Sequence, residues 1–219
     1  MLKMSNAIAL WSGGKDSCLA CYKAKALGVN VQTLVNFTSP GSETSLSHGL
    51  PARLIADQAL SVGIPLIQQS VEPGTYETCL KQVISKSKAK GAEAVVFGDI
   101  YLREHRDWLD RVCKEASIEP VYPLWGCDTR QLLREFIKTG FRSVIVSVRE
   151  DMLSPDWLGR TLDEDFLSDL PNNIDPCGEA GEFHTLVLAG PTFSKDISIK
   201  SFKKTNHDSH WFLEIGSWQ

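Results

Sequence analysis

Two rhythms of apolar and polar positions trade places along this chain. Short runs rich in β-branched or small apolar residues predict strands at Ala7 to Trp11, Val31 to Phe37, Ile64 to Gln68 (opened by Gly63), Ala94 to Phe97 and Pro120 to Tyr122. Between them apolar residues recur at helical spacing. These segments are Cys18 to Leu27, Pro51 to Val62 with Pro in its first turn, Tyr76 to Ala89 closed by Gly91, and Leu102 to Ala116. Such alternation predicts an α/β architecture, a parallel sheet with helices on both faces. Ligands of these sheets gather at the carboxyl ends of the strands. That edge collects Ser12 to Ser17, Asn36 to Thr38 and Gly98-Asp99.

Past Pro123 the rhythm changes. A helix is predicted over Asp128 to Thr139, with Asp128 as N-cap and Gly140 as terminator. A strand follows at Ser143 to Val148, then a short acidic helix at Leu162 to Leu170, then strands at Leu186 to Ala189, Asp196 to Phe202 and Trp211 to Ile215. The expectation is a first domain over residues 1–125 and a smaller α+β lobe over residues 126–219.

The first candidate chemistry sits between the first strand and the first helix, at Ser12-Gly13-Gly14-Lys15-Asp16-Ser17. Glycines let the backbone approach an anion, and free N–H groups at a helix start cradle phosphate. Lys15 adds charge, and Ser12 and Ser17 add hydroxyls. This is not a Walker loop, since Asp16 follows Lys15 and Ala9 stands where the first glycine belongs, and G-x-G-x-x-G is absent. The segment resembles the PP-loop, S-G-G-x-D-S, of the ATP pyrophosphatases. That resemblance implies a Rossmann-like, adenine nucleotide alpha hydrolase-like fold and cleavage of ATP between its α and β phosphates.

Composition narrows the setting. With 42% hydrophobic and 23% charged residues among 219, the chain reads as an ordinary globular protein long enough for a real core. A net charge of −4 offers no basic field, so stable nucleic-acid binding is not expected. The six cysteines show no disulfide rhythm, no apolar run approaches a membrane span, and Met1 to Asn6 carries no signal-peptide pattern. A cytoplasmic setting is expected.

The second motif is Asp175-Pro176-Cys177-Gly178-Glu179-Ala180-Gly181-Glu182-Phe183-His184-Thr185, where glycines force an irregular loop that is dense in carboxylates, imidazole and hydroxyl. Together with Phe97-Gly98-Asp99-Ile100 and His105-Arg106-Asp107-Trp108, the two motifs resemble the diphthine–ammonia ligase family over nearly the whole chain. The resemblance implies a compact enzyme that adenylates a carboxylate and amidates it with ammonia, leaving AMP and pyrophosphate. In that family the acceptor is a modified histidine of translation elongation factor 2. The loop Ser42 to Gly49 departs from archaeal relatives, which carry bulky residues there. It keeps His48 among small polar neighbours, so the acceptor stays open.

Roles follow as expectations. Ser12, Gly13, Gly14, Lys15, Asp16 and Ser17 form the phosphate loop, largely through backbone N–H groups, while Asn36 and Phe37 border the adenine, mostly through backbone contacts, with a core position as the alternative for Phe37, and Gly98 and Asp99 complete the ATP site. Asp16 and Asp99 are candidate Mg²⁺ ligands, with helix-dipole stabilisation as the alternative for Asp16. Glu179, Glu182 and His184 bind and deprotonate ammonium, with Lys15 as a further catalytic group. His48, Arg106, Cys177, Gly178 and Thr185 are candidates for the acceptor, and a surface pair with Asp107 or Asp110 is the alternative for Arg106. Cys18-x-x-Cys21 and the pair His207, His210 are weaker metal candidates. Two other readings are a tRNA thiolation enzyme using Cys127 or Cys177, and a non-catalytic ATP or AMP sensor. No glutaminase signature is present, which favours free ammonium, and a homo-oligomer remains one option.

Overall fold

The computed structural model describes residues 5–41 and 43–219. Met1 to Met4 and Ser42, of the expected N-terminal segment and acceptor loop, lie outside the described residues. The first half alternates as expected: β1 (Ser5–Leu10), α1 (Lys15–Ala26), β2 (Val29–Thr38), α2 (Ala52–Val62), β3 (Leu66–Ser70), α3 (Tyr76–Lys88), β4 (Ala94–Val96), α4 (Arg103–Ala116) and β5 (Glu119–Val121). The five strands pair in parallel in the order β3-β2-β1-β4-β5. Chain order reverses between β1 and β4, which opens a crevice at their carboxyl ends.

Strand periodicity divides the core between two faces. Ala7 and Ala9 of β1 pack with Cys18 and Leu19 of α1 and with Leu54 and Ile55 of α2. Ile8 faces the other way, toward Leu80 and Ile84 of α3 and Leu109 and Val112 of α4. Pro51 precedes α2 as its N-cap rather than sitting inside the first turn.

The second half holds α5 (Thr129–Lys138), β6 (Arg142–Arg149), a 3-10 turn at Pro155–Trp157, α6 (Glu164–Asp169), β7 (Phe183–Ala189), β8 (Ile199–His207) and β9 (His210–Trp218). The Asp128 side chain caps α5, accepting from the Gln131 N–H at 2.8 Å. The four strands form an antiparallel sheet in the order β7-β6-β9-β8. β7 starts three residues before the apolar run that announces it, because Phe183 and Thr185, both good strand residues, are separated by His184 and directly follow the glycine-rich motif loop.

The two sheets share one core. Leu132 and Phe136 of α5, Ile145 of β6 and Leu186 of β7 belong to the same apolar cluster as Leu19 and Leu54. β7 also bonds directly to the glycine loop, with the Val187 N–H donating to the Gly13 carbonyl at 2.9 Å.

Candidate functional site

The loop after β1 is shaped by its glycines and by β7. Gly13 has φ +82°, and a Cβ there would lie 2.5 Å from Gln58 Oε1. The Gly14 N–H donates to Ser12 Oγ at 3.2 Å, the Ser17 hydroxyl donates to the Gly14 carbonyl at 3.0 Å, and the Lys15 N–H donates to Thr185 Oγ1 at 3.0 Å. Two of the three backbone N–H groups expected to cradle phosphate are therefore used within the protein. Gly98 lets the end of β4 touch the start of α1, since a Cβ there would sit 3.1 Å from the Ser17 nitrogen.

A cavity of about 280 Å³ opens at the crevice between β1 and β4, lined by Ser12, Asp16, Ser17, Asn36, Phe37, Gly98 and Asp99. All seven were expected at an ATP site. Buried Asn36 gives its amide to the Trp11 carbonyl at 3.0 Å and to Ser45 Oγ at 2.9 Å, so it also fixes the loop after β2. Phe37 packs on Tyr76, ring centroids 4.8 Å apart, and Tyr76 lines the same cavity. Asp99 is hydrogen-bonded to His105 Nδ1, and this bond raises the imidazole above its ordinary value.

Behind this cavity lies a second one of about 200 Å³, lined by Lys15, Asp16, His48, Cys177, Gly178, Glu179, His184 and Thr185. Asp16 and Glu179 line both spaces. The Lys15 side chain points into the second cavity, not toward the first. Its amine donates to Asp16 Oδ2 at 2.8 Å and to the Cys177 carbonyl, and stands 5.2 Å from the centre of the Phe183 ring. Burial works against the charged amine, but Asp16, Cys177 and Glu179 around it together outweigh burial and the net shift is upward. Glu179 accepts from the Ile100 N–H at 2.9 Å, and burial pushes its carboxyl up to about 7. His48 and His184 stack with ring centres 4.6 Å apart. Burial drives His184 down to about 4 and His48 well below its ordinary value, so both are neutral imidazoles at neutral pH.

The motif loop owes its shape to Gly178 and Asp175. Gly178 has φ +63°, and a Cβ there would come within 2.7 Å of the Phe183 carbonyl. Asp175 accepts from the N–H groups of Cys177 at 2.8 Å and Glu179 at 3.2 Å, and from the Thr129 hydroxyl at 2.8 Å. This side chain sets the ring of contacts that aims Glu179.

Gly13 and Gly14 shape the loop without lining either cavity, and two expected side chains lie elsewhere. Glu182 lines neither cavity. It is buried, and its Oε1 accepts from the Asp175 N–H at 3.2 Å while Oε2 has no hydrogen-bond partner among the described residues. Arg106 also lines neither cavity. Its guanidinium is held 4.9 Å from the Tyr122 ring and 4.5 Å from that of Trp125, 3.5 Å from Asp110, so the alternative reading of a pair with Asp110 describes it. The Cys177 thiol is buried against the Thr129 carbonyl at 3.3 Å and burial raises it, so it is no ready nucleophile. Cys18 and Cys21 are likewise raised by burial, and no cluster of three or more metal-ligating side chains occurs among the described residues.

Reading the sequence missed Gln58, Tyr76, His105 and Asp175 as parts of the site. Gln58 carried a signal, because it interrupts the apolar stripe of α2. Its amide is fully buried, donates to the Gly13 carbonyl at 3.0 Å and the Val187 carbonyl at 2.6 Å, and accepts from Trp11 Nε1 at 3.2 Å.

Residues 5–120 match the family model of the diphthamide synthase N-terminal domain and residues 128–218 that of its C-terminal domain. Diphthine–ammonia ligase from Homo sapiens is 27% identical over 94% of this chain and 87% of its own length. The Danio rerio diphthine–ammonia ligase is 27% identical over 95% of this chain and 92% of its own. Among solved structures, a predicted tRNA methyltransferase subunit from Methanocaldococcus jannaschii covers 88% of this chain and 99% of its own at 15% identity, with a TM-score of 0.49. With both halves matched in order and the glycine loop and the second motif meeting at one site, this chain belongs to the diphthamide synthase family.

Proposed function

We propose that this chain is an ATP-dependent amide ligase that adenylates a carboxylate, releases pyrophosphate and then transfers the acyl group to ammonia with loss of AMP. The observation that carries this reading is the pair of adjoining cavities with Asp16 and Glu179 in their common wall. The outer cavity takes the nucleotide, with the base toward Phe37 and Tyr76 and the phosphates toward Ser12, Ser17 and the start of α1. Asp16 and Asp99 suit Mg²⁺, which keeps water and phosphate oxygens and needs only one or two carboxylates. When bound, that ion supplies neutralisation of the phosphate charge. The inner cavity is where nitrogen meets the activated acyl group. Glu179, poised near neutrality, takes the proton of ammonium: the N–H bond breaks, its electron pair stays on nitrogen, and the proton goes to the carboxylate. Neutral His48 and His184 add no positive charge of their own beside the acyl adenylate.

In this reading residues 1–125 form the ATP-binding unit and residues 126–219 bring the second motif to it. The acceptor is a modified histidine of a translation elongation factor, and the reaction runs in the cytoplasm. No helix among the described residues is long and apolar enough to cross a membrane. The test is to incubate the protein with ATP, Mg²⁺, ammonium and a diphthine-bearing elongation factor and to identify the products. AMP in step with amide is expected; ADP, or nucleotide bound and never cleaved, refutes the ligase.

A further inference from the structure

We infer that the cage now filled by the Lys15 amine is the ammonium site, and that nucleotide binding opens it by drawing Lys15 away. This rests on the ligase reading above. The Lys15 amine is buried with 4% of the residue exposed, and three different groups receive it. They are the Asp16 carboxylate at 2.8 Å, the Cys177 carbonyl, and the face of Phe183 at 5.2 Å. An anion, a carbonyl dipole and an aromatic face are what a desolvated ammonium requires. An alkylammonium head and free ammonium carry the same charge on the same kind of N–H donor, so a cage built round one accepts the other. Glu179 lines the same cavity, which puts a proton acceptor beside the nitrogen that must lose one.

The cage cannot hold both cations. The nucleotide cavity, in contrast, is lined by the carboxylates of Asp16, Asp99 and Glu179, with His105 as its one basic side chain among the described residues. Triphosphate entering there needs a further positive charge. Lys15 supplies it in this proposal, since its partner Asp16 stands in both cavity walls and the amine need only pass from one side of that carboxylate to the other. Its departure leaves Asp16, the Cys177 carbonyl and Phe183 facing an empty position of the right size and sign. Binding is thereby ordered, nucleotide first and ammonium second, and nitrogen is admitted only where an acyl adenylate can form.

The test titrates isotope-labelled ammonium into the full chain, followed by NMR, with and without the non-hydrolysable analogue α,β-methylene-ATP. A protected ammonium resonance is expected only with the analogue present. In Lys15→Ala the cage is permanently vacant, so ammonium should bind without analogue and about tenfold or more tighter than to the nucleotide-free parent, because an occluded site loses affinity in proportion to its occlusion. Ammonium that binds the parent equally well with and without analogue, or fails to bind although the analogue does, overturns the inference, as does a folded Lys15→Ala that binds none. Failure of the analogue itself to bind would sink the nucleotide reading instead. The Lys15→Ala titration would then still decide the cage.

Discussion

Glu179 is a carboxyl held near neutrality in the wall shared by both cavities. Its folded value is near 7 against an ordinary 4.5, raised first of all by burial. The proposed base works only when ionised, so the rate of amide formation should climb with pH and level off above about 7, read from a pH–rate profile at saturating ammonium. Glu179→Gln should lower kcat by about 100-fold or more, the usual worth of a positioned base. The same shift has a sign for stability. The unfolded chain gives up this proton at lower pH than the folded one, so the buried carboxylate costs stability progressively between 4.5 and about 7 and fully above. Glu179→Gln should therefore melt higher than the parent at pH 8 and equal to it near pH 4. His184 acts oppositely: neutral in the fold, it resists protonation that the unfolded chain accepts, and its contribution is lost as pH falls from 6.5 to about 4. At this scale the sequence showed which residues are chemical but not which way they face. Glu179 and Glu182 look alike in the motif, yet the loop aims one at the cavities and folds the other onto Asp175. His105 and Arg106 are neighbours on a polar helix, and only packing decides that the first lines the outer cavity while the second lies over Tyr122 and Trp125.

Among the elements, β7 does most to build the site. It supplies His184 and Thr185 to the inner cavity and spends the Thr185 hydroxyl and the Val187 N–H on the glycine loop. Gln58 fastens the same junction from α2, and Gln58→Leu strands the Val187 carbonyl and Trp11 Nε1. A loss of about 1–3 kcal/mol is expected from such unpaired buried groups, measured by denaturant unfolding. Gly14→Ala tests the junction from the other side: its Cβ would lie 2.5 Å from His48 Cε1 and 3.1 Å from the Thr185 carbonyl. The imidazole can shift but the backbone cannot, so nucleotide affinity and the His48–His184 stack should both suffer, seen by calorimetry and histidine NMR. The βα alternation was readable because each run of apolar residues matched one period. β7 begins earlier than its apolar run, since buried Phe183 at its start stands between the glycine-rich loop and His184 and so starts no recognisable period.

For the whole molecule, the continuous core decides behaviour. Leu19 and Leu54 of the first half pack in one cluster with Phe136, Ile145 and Leu186 of the second. A fragment of residues 1–125 should therefore expose a broad apolar face and aggregate or remain partly folded, as checked by near-ultraviolet circular dichroism and sedimentation. The change of rhythm after Pro123 announced a boundary in pattern. It could not announce that the two sheets are energetically one body, because pairing across a core leaves no mark in local periodicity.

The aromatic slot that grips Arg106 also has a mechanical meaning. Successive side chains on a helix point about 100° apart, so locking one azimuth fixes the next. Held over Tyr122 and Trp125, the guanidinium acts as a set-screw on α4, whose neighbouring side chain, His105, meets Asp99 in the wall of the outer cavity. A cation that lines neither cavity is thereby tied, through one step of helix, to a residue that lines the outer one.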